Sequence, residues 1–216
     1  MNLFIYGAGG TGREIADIAQ RINASAPQWD KLHFLDDVHA EREHYGLCVF
    51  SFEKMLQETE PYVCVIAQGE PRYRRALHDK LAAAQVALGT VIDPLAVVSP
   101  SARLAPGCVI WPGVFISSRT QLDVNVIVQI NSVIGHDATL GAHSVISSGV
   151  SIGGGTTVGR EAFVGMGATL KEKIAVGDYA VVGMGASLFS SLDVNLVALG
   201  NPARAVQQNT DRQVFK

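Results

Sequence analysis

Cysteine, charge and long apolar runs are all scarce in this chain, and each shortage excludes something. The three cysteines, Cys48, Cys64 and Cys108, are odd in number and lack CxxC spacing. That excludes a disulfide framework and fits a reducing compartment. Charged residues make up 17% of the sequence and the net charge is −3, so nothing pulls the chain globally toward nucleic acid or an anionic membrane. Lys171 and Lys173 are too sparse for a basic stripe. No apolar run reaches the roughly 18 residues of a spanning helix, and the chain opens into a strand and a glycine turn rather than a signal peptide. The six histidines lack carboxylate or thiol partners at ligand spacing, so no metal is expected. These shortages predict a soluble cytoplasmic protein with no nucleic-acid, membrane or metal partner.

What the chain does contain is a period. Every sixth residue from Val98 to Leu188 is Val, Ile or Leu, sixteen in succession. Four residues after each aliphatic stands a second restricted position, mostly small or β-branched: Ala102, Cys108, Val114, Thr120, and so on. Units this short cannot bury an apolar side alone and must stack. Three hexads close a triangular turn, which puts residues eighteen apart above one another in about five turns of a narrow parallel β-helix. Gly135, Gly141, Gly153, Gly159, Gly165, Gly177 and Gly183 each follow an aliphatic, and are expected to supply the backbone conformations that corners need.

Ahead of the repeats lies an α/β pattern. Residues 2–12 read NLFIYGAGGTG, a strand running into a glycine turn, and a helical pattern follows through Ile15, Ile18, Ala19 and Ile22. Strand, G-x-G-x-x-G turn and helix together make an anion site suited to a phosphate. A second strand, Leu32–Leu35, ends in Asp36-Asp37, whose carboxylates can accept from a ribose or a base. A strand around 48–50 follows, then a helix capped by Ser51 that reaches about Glu58. Next come a buried strand at 62–67 and a helix over 71–85 in which Arg72, Arg74 and Arg75 read as a solvated face. A last strand at 87–92 is expected to close the domain. Asp93-Pro94 and Ser99-Pro100 break the pattern. The expected division is an α/β nucleotide-binding domain over 1–94, Rossmann-like with a small parallel sheet, a β-helix over 95–206 and a polar tail over 207–216, a short helix or frayed.

His33, His39, His44 and His78 read as surface histidines. His136 differs, because it stands at a corner of the coil with Ser118 and Gly154 as its neighbours at eighteen-residue steps. Both are small and leave space beside the imidazole, so it reads either as a general base or as a solvated histidine. His143 has no special spacing to it and reads as structural or exposed. Cys108 lies at an inward position, unsuited to a nucleophile.

The hexads VGMGAT, VGMGAS and IGHDAT resemble the left-handed β-helix of the hexapeptide-repeat acyltransferases. YGAGGTG, FLDD, IAQG, SVIGHDATLG, SIGGG and GNPAR, in that order, resemble the nucleotide-sugar N-acetyltransferases and the related sialic acid O-acetyltransferases over residues 2–206. The resemblance implies a left-handed coil, His136 as catalytic base and Asp137 as the acid that orients it. It implies a nucleotide sugar held by Gly9, Gly10, Thr11, Asp36, Asp37 and Gly69. Acetyl-CoA would lie along a groove at Gly154, Met166 and Met184, in a homotrimer whose site falls between subunits. Relatives often carry His where this chain has Thr11, and a second His near the acyl carbonyl where it has Val145. The implied reaction is N-acetylation of a nucleotide-linked amino sugar, with a 4-amino-4,6-dideoxy sugar as the expected type. O-acetylation of sialic acid is the alternative; a nicotinamide-dependent oxidoreductase and a non-catalytic scaffold are more distant readings.

Overall fold

The structure is a computed structural model that describes residues 1–215. Lys216, the last residue of the predicted tail, lies outside the described residues. Five strands form the first sheet: β1 (Asn2–Tyr6), β2 (Leu32–Leu35), β3 (Arg42–His44), β4 (Leu47–Phe50) and β5 (Tyr62–Ile66), in the order β3-β4-β2-β1-β5. β4, β2, β1 and β5 run parallel, while β3 pairs antiparallel with β4. That hairpin had no clear alternation to announce it. Three helices cover the sheet: α1 (Gly10–Ser25), α2 (Phe52–Met55) and α3 (Pro71–Ala83). α2 stops short of the expected Glu58, although Ser51 caps it, accepting from the Lys54 N–H.

From Val91 the chain winds as a left-handed parallel β-helix of two-residue strands. Each strand pairs with those eighteen residues away, as Ile116 does with Val98 and Ile134. Three faces result. Face 1 begins at Val91–Ile92 and includes Val109–Ile110, Ile127–Val128, Val145–Ile146, Phe163–Val164 and Val181–Val182; face 2 runs from Val97–Val98 to Ser187–Leu188; face 3 runs from Arg103–Leu104 to Ala175–Val176. The aliphatic ladder fills the interior, and from Ile110 to Leu188 every member is buried. The strand predicted at 87–92 therefore does something else. Only Leu88 bridges to the α/β sheet, beside Cys64, while Val91–Ile92 pairs with Val109–Ile110 as the first rung of face 1.

The glycines after the aliphatics also have a different cause from the one expected. None has a positive φ. A Cβ on Gly135 would lie 2.6 Å from the Gly154 nitrogen, and one on Gly153 2.4 Å from that of Glu172. The next coil is simply too close for a side chain. The left-handed residue of each corner comes two positions later, and is Arg119 (φ 54°) or Asp137 (φ 58°) as readily as glycine.

Burial shows where the α/β domain sits. On face 1 the outward residues Val109, Ile127, Val145 and Phe163 are buried, whereas on face 2 Val97, Phe115 and Val133 are exposed. The domain is seated by a column at the edge between faces 3 and 1: Asn125, His143 and Glu161, eighteen apart. Arg74 of α3, predicted to be solvated, is fully buried there. Its Nη1 donates to the carbonyls of Ile66 (2.8 Å) and Gln68 (3.0 Å), and its Nη2 to the Asn125 carbonyl (2.7 Å) and side-chain oxygen. Asn125 Nδ2 donates to His143 Nδ1 at 3.0 Å. Burial, with His78 and Arg74 nearby, pushes the His143 pKa down to about 4, in keeping with a neutral acceptor nitrogen. Arg75 pairs with Glu161 at 3.2 Å. On the other side of the joint, Arg21 of α1 reaches the fully buried Asp93 at 2.5 Å.

Over its described residues the tail is neither helical nor frayed. Arg204–Gln208 pairs antiparallel with Leu196–Leu199, and the chain then folds back onto the α/β domain. There the buried Glu70 carboxylate accepts from the N–H groups of Val214 (3.1 Å) and Phe215 (2.9 Å).

A buried guanidinium that bonds four carbonyl-type oxygens cannot be removed without orphaning them. Arg74→Met is expected to lower stability by about 3–5 kcal/mol in chemical denaturation, and Arg74→Lys, which lacks the fork, to recover little. A midpoint unchanged in Arg74→Met would overturn this account of the joint.

Candidate active site

The eighteen-residue register sets His136 at the edge between faces 2 and 3, the edge opposite the α/β domain. Its ring lies over Gly154 one coil on, where a Cβ would come within 2.7 Å of Nε2. Its Nδ1 lies 2.7 Å from Asp137 Oδ2. The other oxygen of Asp137 accepts from Arg119 Nε, also at 2.7 Å. Arg119 first and His136 second hold the Asp137 carboxyl down at about 2, so it is ionised wherever a protein works. An ionised carboxylate at Nδ1 keeps the ring proton there and leaves the Nε2 lone pair free to take a proton.

The predicted donor residues do not gather at that edge. Gly154 belongs to it, but Met166 and Met184 stack at the edge between faces 1 and 2, exposed by 57% and 79%. The two methionines help line a cavity of about 470 Å³ between face 1 and the α/β domain, together with Gly69, Val145, Phe163 and Phe215. The Phe215 ring meets Phe163 edge-on at 5.4 Å and closes over Gly69. Val145, where relatives carry a second histidine, is thus a buried part of an apolar wall. It lies nine residues, half a coil, from His136, so the two are on opposite sides of the rod.

The predicted nucleotide residues follow the ends of the neighbouring parallel strands β1, β2 and β5. Gly9 is the N-cap of α1, and a Cβ on Gly9 or Gly10 would meet only open space. Thr11 follows in the first turn of α1, partly exposed. With the α1 dipole behind it, this turn can take a phosphate. Gly12, by contrast, is structural, since its Cβ would sit 2.0 Å from the Gly7 carbonyl oxygen. The two aspartates are already engaged within the chain. Asp36 accepts from the N–H groups of Val38 and His39, both at 2.9 Å. Asp37 Oδ2 accepts from Tyr6 (2.5 Å) and Lys80 (2.9 Å). Burial and Asp37 raise the Tyr6 pKa, so its hydroxyl stays a donor.

Sequence reasoning missed Arg119, Phe163 and Phe215. Arg119 was findable, because it stands eighteen residues before Asp137. Phe215 was not, since nothing in a polar tail tells where it folds back. Among the described residues no cluster of histidine, cysteine, aspartate or glutamate suits a metal ion, and no helix is long and apolar enough to cross a membrane. Cys64 and Cys108 are buried and free, with burial pushing the Cys108 thiol up to about 11.

A triangular coil that turns a carboxylate-oriented histidine outward beside a Rossmann-like domain is the construction of a hexapeptide-repeat acyltransferase. Residues 2–81 match the PglD N-terminal domain, and residues 132–172 and 155–190 match the hexapeptide repeat of succinyl-transferase. The acetyltransferase domain of PglB from Neisseria gonorrhoeae is 29% identical, with a TM-score of 0.88 over 95% of this chain and 99% of that one; it is also known in complex with acetyl coenzyme A. A perosamine N-acetyltransferase variant from Caulobacter crescentus, in complex with CoA and GDP-perosamine, is 27% identical with a TM-score of 0.85 over 96% and 98% of the two chains. WeeI from Acinetobacter baumannii, at 22% identity and a TM-score of 0.85 over 95% of this chain and all of that one, shares the fold. No curated protein matches the chain. The chain belongs to the hexapeptide-repeat acetyltransferases of the nucleotide-sugar type.

Gly154→Ala tests the seat of the imidazole. Gly154 has no positive φ, so alanine suits the backbone and only the ring must move. Displacing a reacting group by about 1 Å costs on the order of 10²-fold, and a fall in kcat of that order with unchanged thermal denaturation is expected.

Proposed function

We propose that this chain transfers an acetyl group from acetyl-CoA to the amine of a nucleotide-linked amino sugar, with His136 as general base. The observation that carries the reading is the His136–Asp137 pair, its Nε2 open above a glycine. The attacking amine loses its proton to Nε2 as its nitrogen adds to the thioester carbonyl. The carbon–sulfur bond then breaks, and the proton passes from the imidazolium to the departing CoA thiolate. The N–H of Gly154, the residue against which the ring lies, has no acceptor among the described residues, so it is available to hold the developing oxyanion. It serves in place of the side chain that Val145 lacks. The glycine turn at Gly9–Thr11 takes the pyrophosphate, Gly69 borders the sugar, and Asp37 Oδ1 is open to the nucleoside. Asp36 acts at one remove by shaping the loop. The perosamine enzyme, with its GDP-linked amino sugar, supports a 4-amino-4,6-dideoxy sugar as acceptor.

Geometry also supports a homotrimer. One chain carries its nucleotide turn and its methionine-lined cavity on face 1, and its base on the opposite edge, so base and cavity meet only across two copies. The exposed strip of Val97, Phe115 and Val133 on face 2 is an apolar surface for such a contact. Domain limits near 94 and 206 fit this division of labour, with the seating residues straddling the first.

Thiol release from acetyl-CoA, measured against UDP-, dTDP- and GDP-linked amino sugars and free sialic acid, tests the acceptor. Release with a nucleotide amino sugar is expected, and release with sialic acid alone would overturn the choice. His136→Ala should fold, bind acetyl-CoA and lose about 10²–10⁴ in kcat; full activity would sink the base assignment. Mixed oligomers test the shared site. Refolding His136→Ala chains together with Phe163→Arg chains should restore part of the activity that each lacks, whereas a single-chain site would leave every mixture dead.

A further inference from the structure

We propose that Arg119 is the positioning residue of the reaction, holding Asp137 so that one carboxylate oxygen is reserved for His136. The proposal rests on His136 being the base. Three residues on two coils make a single line: Arg119 Nε to Asp137 Oδ1 at 2.7 Å, and Asp137 Oδ2 to His136 Nδ1 at 2.7 Å. The line is a product of the register. Arg119 and Asp137 are eighteen apart at the same left-handed corner position, and the Asp137 N–H donates to the Ser118 carbonyl at 3.0 Å. The Arg119 N–H is itself held by Ser101 Oγ at 3.0 Å, one coil earlier. Backbone stacking therefore brings the guanidinium to the carboxylate without a search.

What this fixes is a choice of oxygen. A free aspartate beside an imidazole can turn either oxygen toward Nδ1 or swing into solvent, and the ring swings with it. With Oδ1 occupied, only Oδ2 remains, and the tautomer with its proton on Nδ1 is selected. Arg119 also adds a positive charge near the imidazole. The other charged groups along this edge are Lys171, Glu172 and Lys173, on the coil beyond Gly153, Gly154 and Gly155, and Arg103 of face 3 shares a cavity with Arg119. Asp137 alone pairs with Arg119 among the described residues. Removing the guanidinium leaves Asp137 ionised at neutral pH and takes away a cation, so the imidazolium form of His136 persists to higher pH. The acid limb of activity, which requires the neutral ring, then moves up.

The test is a set of pH–rate profiles on the intact oligomer for Arg119→Met, Arg119→Asn and Arg119→Lys, beside His136→Ala. Arg119→Asn, which tolerates the left-handed corner, guards against a backbone effect. Both neutral variants are expected to lose roughly tenfold in kcat, to keep the KM for acetyl-CoA, and to shift the acid limb of kcat/KM upward by roughly half a pH unit. Arg119→Lys keeps the charge and should hold the limb near its wild-type position while recovering only part of kcat. Wild-type kcat and limb in the neutral variants would overturn the proposal. So would an equal loss in all three with an unmoved limb, which is the mark of a merely structural residue. An active His136→Ala removes the base assignment and this inference with it, whereas an inactive His136→Ala beside unaltered Arg119 variants removes this inference alone.

Discussion

The backbone hydrogen bonds that join each coil to the next govern everything else in this molecule. They set strands eighteen residues apart side by side, through bonds such as Gly135 N–H to the Ile152 carbonyl and Gly155 N–H to that of His136. Once that register is set, side chains can only form columns, and each column has one neighbour above and one below. The inward columns are aliphatic and supply the core. Each of the three edges carries something different: one the His136–Asp137 pair, one the methionines, one the seat of the α/β domain. Spacing between coils is so small at some corners that only a glycine fits after the aliphatic, as at Gly135 and Gly153, whereas Ser117, Gln129 or Lys171 stands there at others. Chemistry and tight stacking thus share one cause.

The seat of the domain is the second requirement, since a rod alone offers no grip on a nucleotide. Arg74, Arg75 and His78 lie on α3, and they meet Asn125, Glu161 and His143 on the coil. The His78 and His143 rings are 4.9 Å apart. Arg74 and His78, about one helical turn apart, meet Asn125 and His143 on successive coils, and the adjacent Arg75 reaches Glu161 one coil further on. That match lets one short helix read a column of the rod. It fixes where the glycine turn of α1 lies relative to face 1.

Much of this was legible in the sequence, and the reasons differ by element. The period located all sixteen hexads, because an aliphatic ladder leaves no freedom of register. The glycine turn and its strand were equally plain, and Gly9 and Gly10 do face open space. The corner of His136 followed from counting. Arg74 was misread because a helix face rich in arginine ordinarily faces water, and only the position of Asn125 reveals otherwise. The glycines after the aliphatics were rightly noticed and wrongly explained, since a torsional reason and a steric reason leave the same residue. The separation of Gly154 from Met166 and Met184 lay within reach of the same counting. They differ by twelve and thirty residues, which are not multiples of eighteen, and so occupy different edges.

Phe215 and Val214 wall the cavity through bonds to Glu70, about 144 residues earlier in the chain. During synthesis the α/β domain and every coil leave the ribosome before those two residues do. The cavity is therefore completed only after all of these, and a chain cut before Val214 would possess the whole rod, the His136–Asp137 pair and the glycine turn while lacking one wall of the chamber.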